Sequence, residues 1–308
     1  AAGASGNPRG LFNPRFTSAR NVVSEFYAAS FALVLRQFKK YPDIDLKYCG
    51  SLHLFTDADK AKRLSGAASN WGWHKDHMEV LGKDEASAMA GVKINSKVLF
   101  LPDAGYVSPE KICRYLSKDL KVIQEEVKSL IYQNGHWIIN DKKYDAVVMA
   151  NGAGIINFEP AKNLPISTVR GQIAIAASTF ETEKVKANIC YGGYFSPADH
   201  GKHIIGSTFQ PWLTSTEIRE EDNADILIKF ENHVAKLAGQ LKITGSRASL
   251  RVASKDRFPV IGKVGVYDNL YISTAHGSHG LLSAAMGAEI ITAQILGRTV
   301  PMPKSVIA

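Results

Sequence analysis

Between residues 19 and 40 the apolar positions Val22, Val23, Phe26, Ala29, Phe31, Leu33, Val34 and Phe38 recur at roughly helical spacing, and Pro42 stops the run, so a helix is predicted there. Residues 46–55 (LKYCGSLHLF) read as a strand and residues 57–65 as a short helix. Val98–Leu101 is a brief apolar run before the turn Pro102-Asp103-Ala104-Gly105. Ser108-Pro109-Glu110 then opens a second helix, with a hydroxyl cap, proline at the first position and an acid in the first turn; it is expected to continue through Ile112, Leu116 and Leu120. After it the period shortens to that of strands. Residues 121–132 and 136–140 flank Asn134-Gly135, a strong hairpin signal. Residues 144–150 (YDAVVMA) are continuously apolar and end in Asn151-Gly152-Ala153-Gly154, the pattern of a buried strand whose carboxyl end faces a ligand. Further strands are expected between 166 and 209, then a helix over 224–237 carrying Ile226, Ile228, Phe230, Val234 and Leu237. Leu270–Thr274 reads as a strand, 276–280 as a Gly/His loop, and 281–296 as a helix ending at Gly297. No internal repeat is present. Helices and strands alternate at both ends around a strand-rich middle, which predicts an α/β sheet domain with a mostly antiparallel lobe inserted into it.

Composition narrows this picture. A chain of 308 residues, 45% hydrophobic and 21% charged, has room for two domains or one large unit with an inserted lobe. No run of 18 apolar residues exists to span a membrane, and the first ten residues lack the basic start and apolar core of a signal peptide. Three widely spaced cysteines (Cys49, Cys113, Cys190), with no CxxC, argue against a disulfide scaffold or zinc knuckle and make a reducing cytoplasm the simplest home. The net charge of +8 would attract a polyanion or would serve solubility alone. No basic run of five residues occurs, so any positive patch has to be assembled by the fold.

Several segments carry candidate chemistry, each with a plainer alternative. The glycine turn after 144–150 lets backbone N–H groups approach an anionic or polar cofactor, although many buried strands end in glycine. In the closing segment, Gly277 and Gly280 precede a helix that starts with small residues. Such a start suits close packing, and its amide-rich end can face an electron-rich ring or a phosphate. Arg251, within RVASKDRFPVIG beside Lys255, Asp256 and Arg257, can bind a carboxylate bidentately; a surface charge cluster is the alternative. Tyr191 and Tyr194 offer a phenol beside such an arginine, or simply pack in a sheet. The pairs His276/His279 and His74/His77 lack a third ligand at metal spacing, so neither reads as a metal site. GxSxG and HExxH are absent, which removes the common hydrolase readings.

Together, GASGNPRGLFNP (3–14), DAGYVSPEKI (103–112), YDAVVMANGAG (144–154), VRGQIA (169–174), GYFSPADHGKHIIGSTFQ (193–210), RVASKDRFPVIG (251–262) and HGSHGLLSAAMGAEIITAQILG (276–297) resemble the D-amino-acid-oxidase-like (DAO) superfamily of FAD-dependent oxidoreductases. More narrowly they are similar to the C-terminal FAD domain of the bifunctional tRNA 5-methylaminomethyl-2-thiouridine biosynthesis family. The resemblance implies an α/β (α+β) chain: a three-layer FAD/NAD(P)-binding domain over 1–45, 103–162 and 247–308, with an inserted antiparallel-sheet substrate domain over 46–102 and 163–246. It also implies that the family's first βαβ unit, with its GxGxxG turn, is missing, since the chain starts where that unit would have ended. Weak or no FAD binding by this chain alone is therefore expected. By motif, Ser5, Asn7 and Gly10 match the loop beside the flavin, and Val127 a strand residue whose backbone meets adenine. Ala150, Asn151 and Gly152 match the turn near ribose and pyrophosphate. Gly277, Ser278, His279, Gly280 and Leu281 match the segment over the flavin ring, with His279 where relatives often carry arginine. Arg251 matches the carboxylate-binding arginine and Tyr194 an active-site tyrosine. The implied reaction removes the carboxymethyl group from 5-carboxymethylaminomethyl(-2-thio)uridine at the tRNA wobble position, giving aminomethyluridine and glyoxylate. Its implied partners are tRNA and a methyltransferase half not found in this sequence. Two alternatives stand beside it: a glycine- or sarcosine-type oxidase, and an inactive remnant that does not hold FAD.

Overall fold

The computed structural model describes residues 3–303 and 306. In chain order the strands are β1 Gly10–Phe12, β2 Ser51–Leu54, β3 Glu79–Leu81, β4 Val98–Leu101, β5 Gly105–Val107, β6 Leu130–Gln133, β7 His136–Ile139, β8 Lys142–Tyr144, β9 Val147–Met149, β10 Ile166–Ala177, β11 Asn188–Cys190, β12 Tyr194–Phe195, β13 Lys202–Gly206, β14 Lys242–Ser254, β15 Val260–Lys263 and β16 Leu270–Thr274. The α-helices are α1 Val22–Phe38, α2 Ala58–Asn70, α3 Lys83–Ala90, α4 Pro109–Ser117, α5 Glu220–Ala238 and α6 Gly280–Ile295. Residues 304, 305, 307 and 308, the end of the expected 247–308 segment, lie outside the described residues.

An eight-stranded sheet, ordered β14-β10-β13-β12-β11-β2-β4-β3, forms the middle of the molecule. Its one parallel pair is β11 with β2; the other pairs are antiparallel. Side chains alternate between faces, so the two faces pack against different partners. One face, with Leu52, Leu54, Ala174, Ile189, Phe195 and Ile205, packs with Ile226, Phe230 and Val234 of α5. On the other, Leu99 joins the core built by α1 and α6, where Phe26, Phe31, Val34, Leu282 and Met286 are buried. Helix α1 starts at Asn21, whose side chain accepts from the Ser24 amide while Ser24 Oγ accepts from the Asn21 amide, satisfying both otherwise free donors.

A smaller sheet, β15-β16-β9, has β16 and β9 parallel, with a third core of Met149, Leu270, Ile272 and Trp137 beside it. The β6–β7 hairpin turns at Asn134 and Gly135, both with positive φ (52° and 78°), as that dipeptide requires. Sequence periodicity marks β4, α6 and β16 closely, whereas α2 runs five residues past its expected end and α4 stops at Ser117. Neither β3 nor α3 was read from the periodicity, because each is short.

Three differences bear on function. The strand expected over 121–132 forms only at Leu130–Gln133; residues 121–129 belong to no strand, and 121–128 are exposed. The run 144–150 yields a three-residue strand at the edge of its sheet, with Val148 44% exposed, so it is not buried on both faces. Strand β14 runs through the expected domain boundary at 246/247, carrying Arg251 on the large sheet.

Candidate active site

The chemistry-bearing side chains gather on the α1/α6 side of the eight-stranded sheet. Cross-strand partners share a face. The register Leu99↔His53, His53↔Cys190, Cys190↔Tyr194, Tyr194↔Gly206, Gly206↔Ile173 and Ile173↔Arg247 therefore puts His53, Tyr194 and Arg247 on one face. Val169↔Arg251 adds Arg251, two pairs along from Ile173 on each step of two.

Arg251 lies across β10 at Gly171. A Cβ built on Gly171 would come within 2.2–2.5 Å of the guanidinium, so a glycine here provides the trough in which the arginine head rests. Arg251 Nη2 donates to Ser207 Oγ (2.5 Å) and Nη1 to the Thr208 carbonyl (3.4 Å). Among the described residues no carboxylate pairs with it, which leaves its charge for an incoming anion. Burial pushes the Tyr194 phenol up to about 12, partly offset by the Arg251 charge, so the hydroxyl stays protonated at neutral pH.

The opposite face of β10 explains why Ser207 and Thr208 are well placed. Arg170, fully buried, donates to Asp222, Gln210, Gln172 and the Glu217 carbonyl. Gln172 N donates to Thr208 Oγ1 and Gln210 Nε2 to Asp222. The segment touching Arg251 is thus tied to a buried ion pair behind the sheet.

The 277–281 loop meets β14 beside Arg251, whereas the Gly152 turn meets the same strand through Val252, whose side chain alternates to the other face. Gly277 N donates to the Val252 carbonyl (2.9 Å), and His276 bridges Ala253. Thr274 Oγ1 donates to the Gly152 carbonyl (3.2 Å), and a Cβ on Gly152 would stand 3.8 Å from Val252. Gly10 packs under Leu281, whose Cδ1 would lie 2.7 Å from an added Cβ. Asn7 Oδ1 accepts from Arg247 Nη1 (2.7 Å), and Arg247 also donates to the Gly3 carbonyl beside Ser5. Ser278 is exposed on the loop, and the His279 side chain does not cap α6, so the first amides of that helix at Gly280 and Leu281 lack a side-chain acceptor. His279 Nδ1 donates to the Asn13 carbonyl (3.2 Å), which leaves Nε2 with the lone pair. Burial lowers His279 to about 4, so it is neutral where relatives are expected to carry an arginine charge. His276 is held between Ser273 and Ser283 and is likewise lowered to about 4 by burial.

Arg251, Tyr194, Asn7, Gly10, Gly152 and the 277–281 loop are therefore joined by contacts or a shared sheet face. Val127 is not. It is 42% exposed, between open hollows lined by Val122–Glu126 (about 810 Å³) and by Glu125, Glu126, Lys128, Ser129, Asn140 and Asp141 (about 570 Å³). Ala150 and Asn151 are exposed at the end of β9. Tyr191 points to the α5 side, packed on Phe230 and His233.

Sequence reasoning passed over three residues of this face. Gly171 was visible as a glycine inside an apolar strand (VRGQIA). His53, between two leucines in SLHLF, alternates onto this face; its Nε2 is buried without a partner, and burial lowers it to about 3. Nothing local marks Ser207, since its place depends on cross-sheet register.

The structure overlays glycine oxidase of Geobacillus kaustophilus with a TM-score of 0.83 at 18% identity, covering 98% of this chain and 87% of that one, so the two share a fold. The chain belongs to the DAO family of FAD dependent oxidoreductases, whose family model matches residues 1–294. Its curated relatives include the tRNA 5-methylaminomethyl-2-thiouridine biosynthesis bifunctional proteins of Idiomarina loihiensis (30% identical, 100% of this chain, 52% of that protein) and Nitrosospira multiformis (28%, 99% and 53%). The chain thus spans about half the length of the curated relatives it matches.

The family's cofactor fits this structure at one end. Open glycines at 277 and 152, both with positive φ, and the uncapped α6 amides provide close backbone approach for a flavin ring. At the dinucleotide end, the carried-over Val127 stands on exposed chain without a ladder.

Proposed function

We propose that this chain carries the substrate-binding and flavin-ring portions of an enzyme that oxidises a carboxymethylated secondary amine, the carboxymethylaminomethyl group of a tRNA wobble uridine. The observation that carries this reading is Arg251: an arginine with no acidic partner among the described residues, cradled by Gly171 on the face it shares with Tyr194 and adjoining the 277–281 loop. The similarity to tRNA-modifying relatives and the net charge of +8 support an RNA substrate over a free amino acid.

In this reading Arg251 binds the substrate carboxylate through its free N–H edge, and the protonated Tyr194 phenol donates to the same group. Arg251 and Arg247 on one face disfavour a protonated amine nearby, which keeps the nitrogen lone pair available. Neutral His279 adds no further cation, and its Nε2 can accept an N–H of the substrate. When bound, FAD supplies the two-electron acceptor for the hydride of the glycyl carbon. The amine loses that hydride and its N–H proton to become an imine. Water then adds and the C–N bond breaks, giving glyoxylate and the aminomethyl uridine. Ser5, Asn7, Gly10 and the 277–281 segment would hold the ring, and Ala150–Gly152 the ribose side. A cytoplasmic setting with a methyltransferase partner or half completes the proposal.

The test is Arg251→Ala against Arg251→Lys in flavin-supplied protein. Loss of a charge-assisted pair predicts KM for the carboxymethyl substrate raised by about 10²-fold for alanine and less for lysine. Equal kinetics in all three proteins would remove the assignment.

A further inference from the structure

The segment after Ser207 displays two aromatic rings to solvent: Phe209 is 50% exposed and Trp212 73%. Exposed aromatics on a slack loop would mean little. Here the backbone between them is fixed. Arg170 and Gln210 exchange both backbone hydrogen bonds (3.2 and 3.0 Å), and the Gln210 side chain is held by Arg170 and Asp222. Thr208 N donates to the Gln172 carbonyl, and Leu213 N to that of Gln210. Pro211 adds a fixed φ between the pinned residue and Trp212. With Gln210 drawn into the buried network, Phe209 and Trp212 stand on either side of it and face outward.

The surroundings select a partner. Residues 207–216 carry no charge, and the first acid is Glu217. The Arg257 guanidinium lies over the Phe209 ring, 5.7 Å from its centroid. The same segment, through Ser207 and Thr208, contacts Arg251. Fixed aromatic faces with an arginine plane, and no acid among them, match the chemistry that holds unpaired bases of RNA by stacking.

We propose that Phe209 and Trp212 form a stacking platform for unpaired nucleotides flanking the modified base, so that the substrate is read as a single-stranded loop. This rests on the RNA reading of the site above and names how that RNA is held. The platform is rigid before binding, so little ordering is lost on stacking.

The experiment uses the 308-residue chain and a 17-nucleotide unmodified anticodon stem–loop RNA, compared with a fully paired RNA duplex of equal length. Quenching of tryptophan fluorescence and direct binding are followed. Trp212→Ala should weaken stem–loop binding roughly tenfold or more, Phe209→Ala less, and Trp212→Phe should restore most of it. Val266→Ala, an exposed apolar residue elsewhere, should change nothing. Oxidation of a small carboxymethyl amine by flavin-supplied Trp212→Ala should equal that of the parent. Stem–loop affinity unchanged in Trp212→Ala, equal loss for duplex and loop, no RNA binding by the parent, or a self-associated dimer that Trp212→Ala disperses would each overturn the platform. Failure of the Arg251 test with the Trp212 result intact would overturn the amine-oxidation reading instead.

Discussion

Arg251 and Val127, both expected at one site from the sequence, sit in two contrasting regions of the molecule. Arg251 rests in a glycine trough on a continuous eight-stranded sheet, and the segment it touches is tied through Gln172 and Gln210 to the Arg170–Asp222 pair. Val127 is exposed and lies in residues 121–129, outside every strand, while β9 nearby in sequence is paired along one side only. The region proposed for substrate is pre-arranged by the rest of the fold. The region expected to meet adenine is held only by exposed bonds, from Asn140 to the Glu126 carbonyl and from the Lys128 amide to Asn140, with no buried network behind it among the described residues. Geometry held by buried hydrogen bonds is better fixed than geometry held at the surface, so a matching motif counts for less there.

The largest effect should come from breaking the network. Asp222→Ala leaves Arg170 buried without its counter-charge and should cost about 3–5 kcal/mol of unfolding free energy. Val148→Ala on the open β9 edge should stay within about 0.5 kcal/mol. Urea unfolding compares the two, and similar losses would erase the contrast. Smaller, but local to the site, is Gly171→Ala: the new methyl group displaces the Arg251 head and should raise KM for the carboxymethyl amine about tenfold. A melting point lowered in proportion would mean that the glycine serves the strand and not the arginine. The smallest difference concerns the cofactor. If the ring end contributes most of the contact, FAD and riboflavin should bind with affinities within about threefold, both weakly, because FAD would then gain few of the amide–phosphate bonds worth about 1.5–3 kcal/mol each. Purified protein that is yellow and keeps FAD through desalting would refute this.

Much of the architecture was legible locally. The Ser108 cap, the Asn134-Gly135 turn and the terminal α6 follow from side-chain chemistry within a few residues, and each appears where expected. Strand 121–132 failed because apolar alternation marks a strand only when a neighbour completes its ladder, and residues 121–129 have none among those described. Of the site, Arg251, Tyr194 and the 277–281 loop could be named from their motifs, although what they bind is a proposal that the substitutions above address.

The chain's sequence by itself determined the elements, the family and the chemically capable residues, because capping, periodicity and motif spacing act over short stretches of chain. Only the tertiary structure decided that Gly171 cradles Arg251, that Ser207 reaches the same guanidinium and that Gln210 turns Phe209 and Trp212 outward. Those relations join residues from 40 to 80 positions apart in the numbering, through the register Val169↔Arg251 and the Arg170–Gln210 bridge. Strand register is a property of the assembled sheet, fixed by which faces become buried, and no local pattern in the chain encodes it.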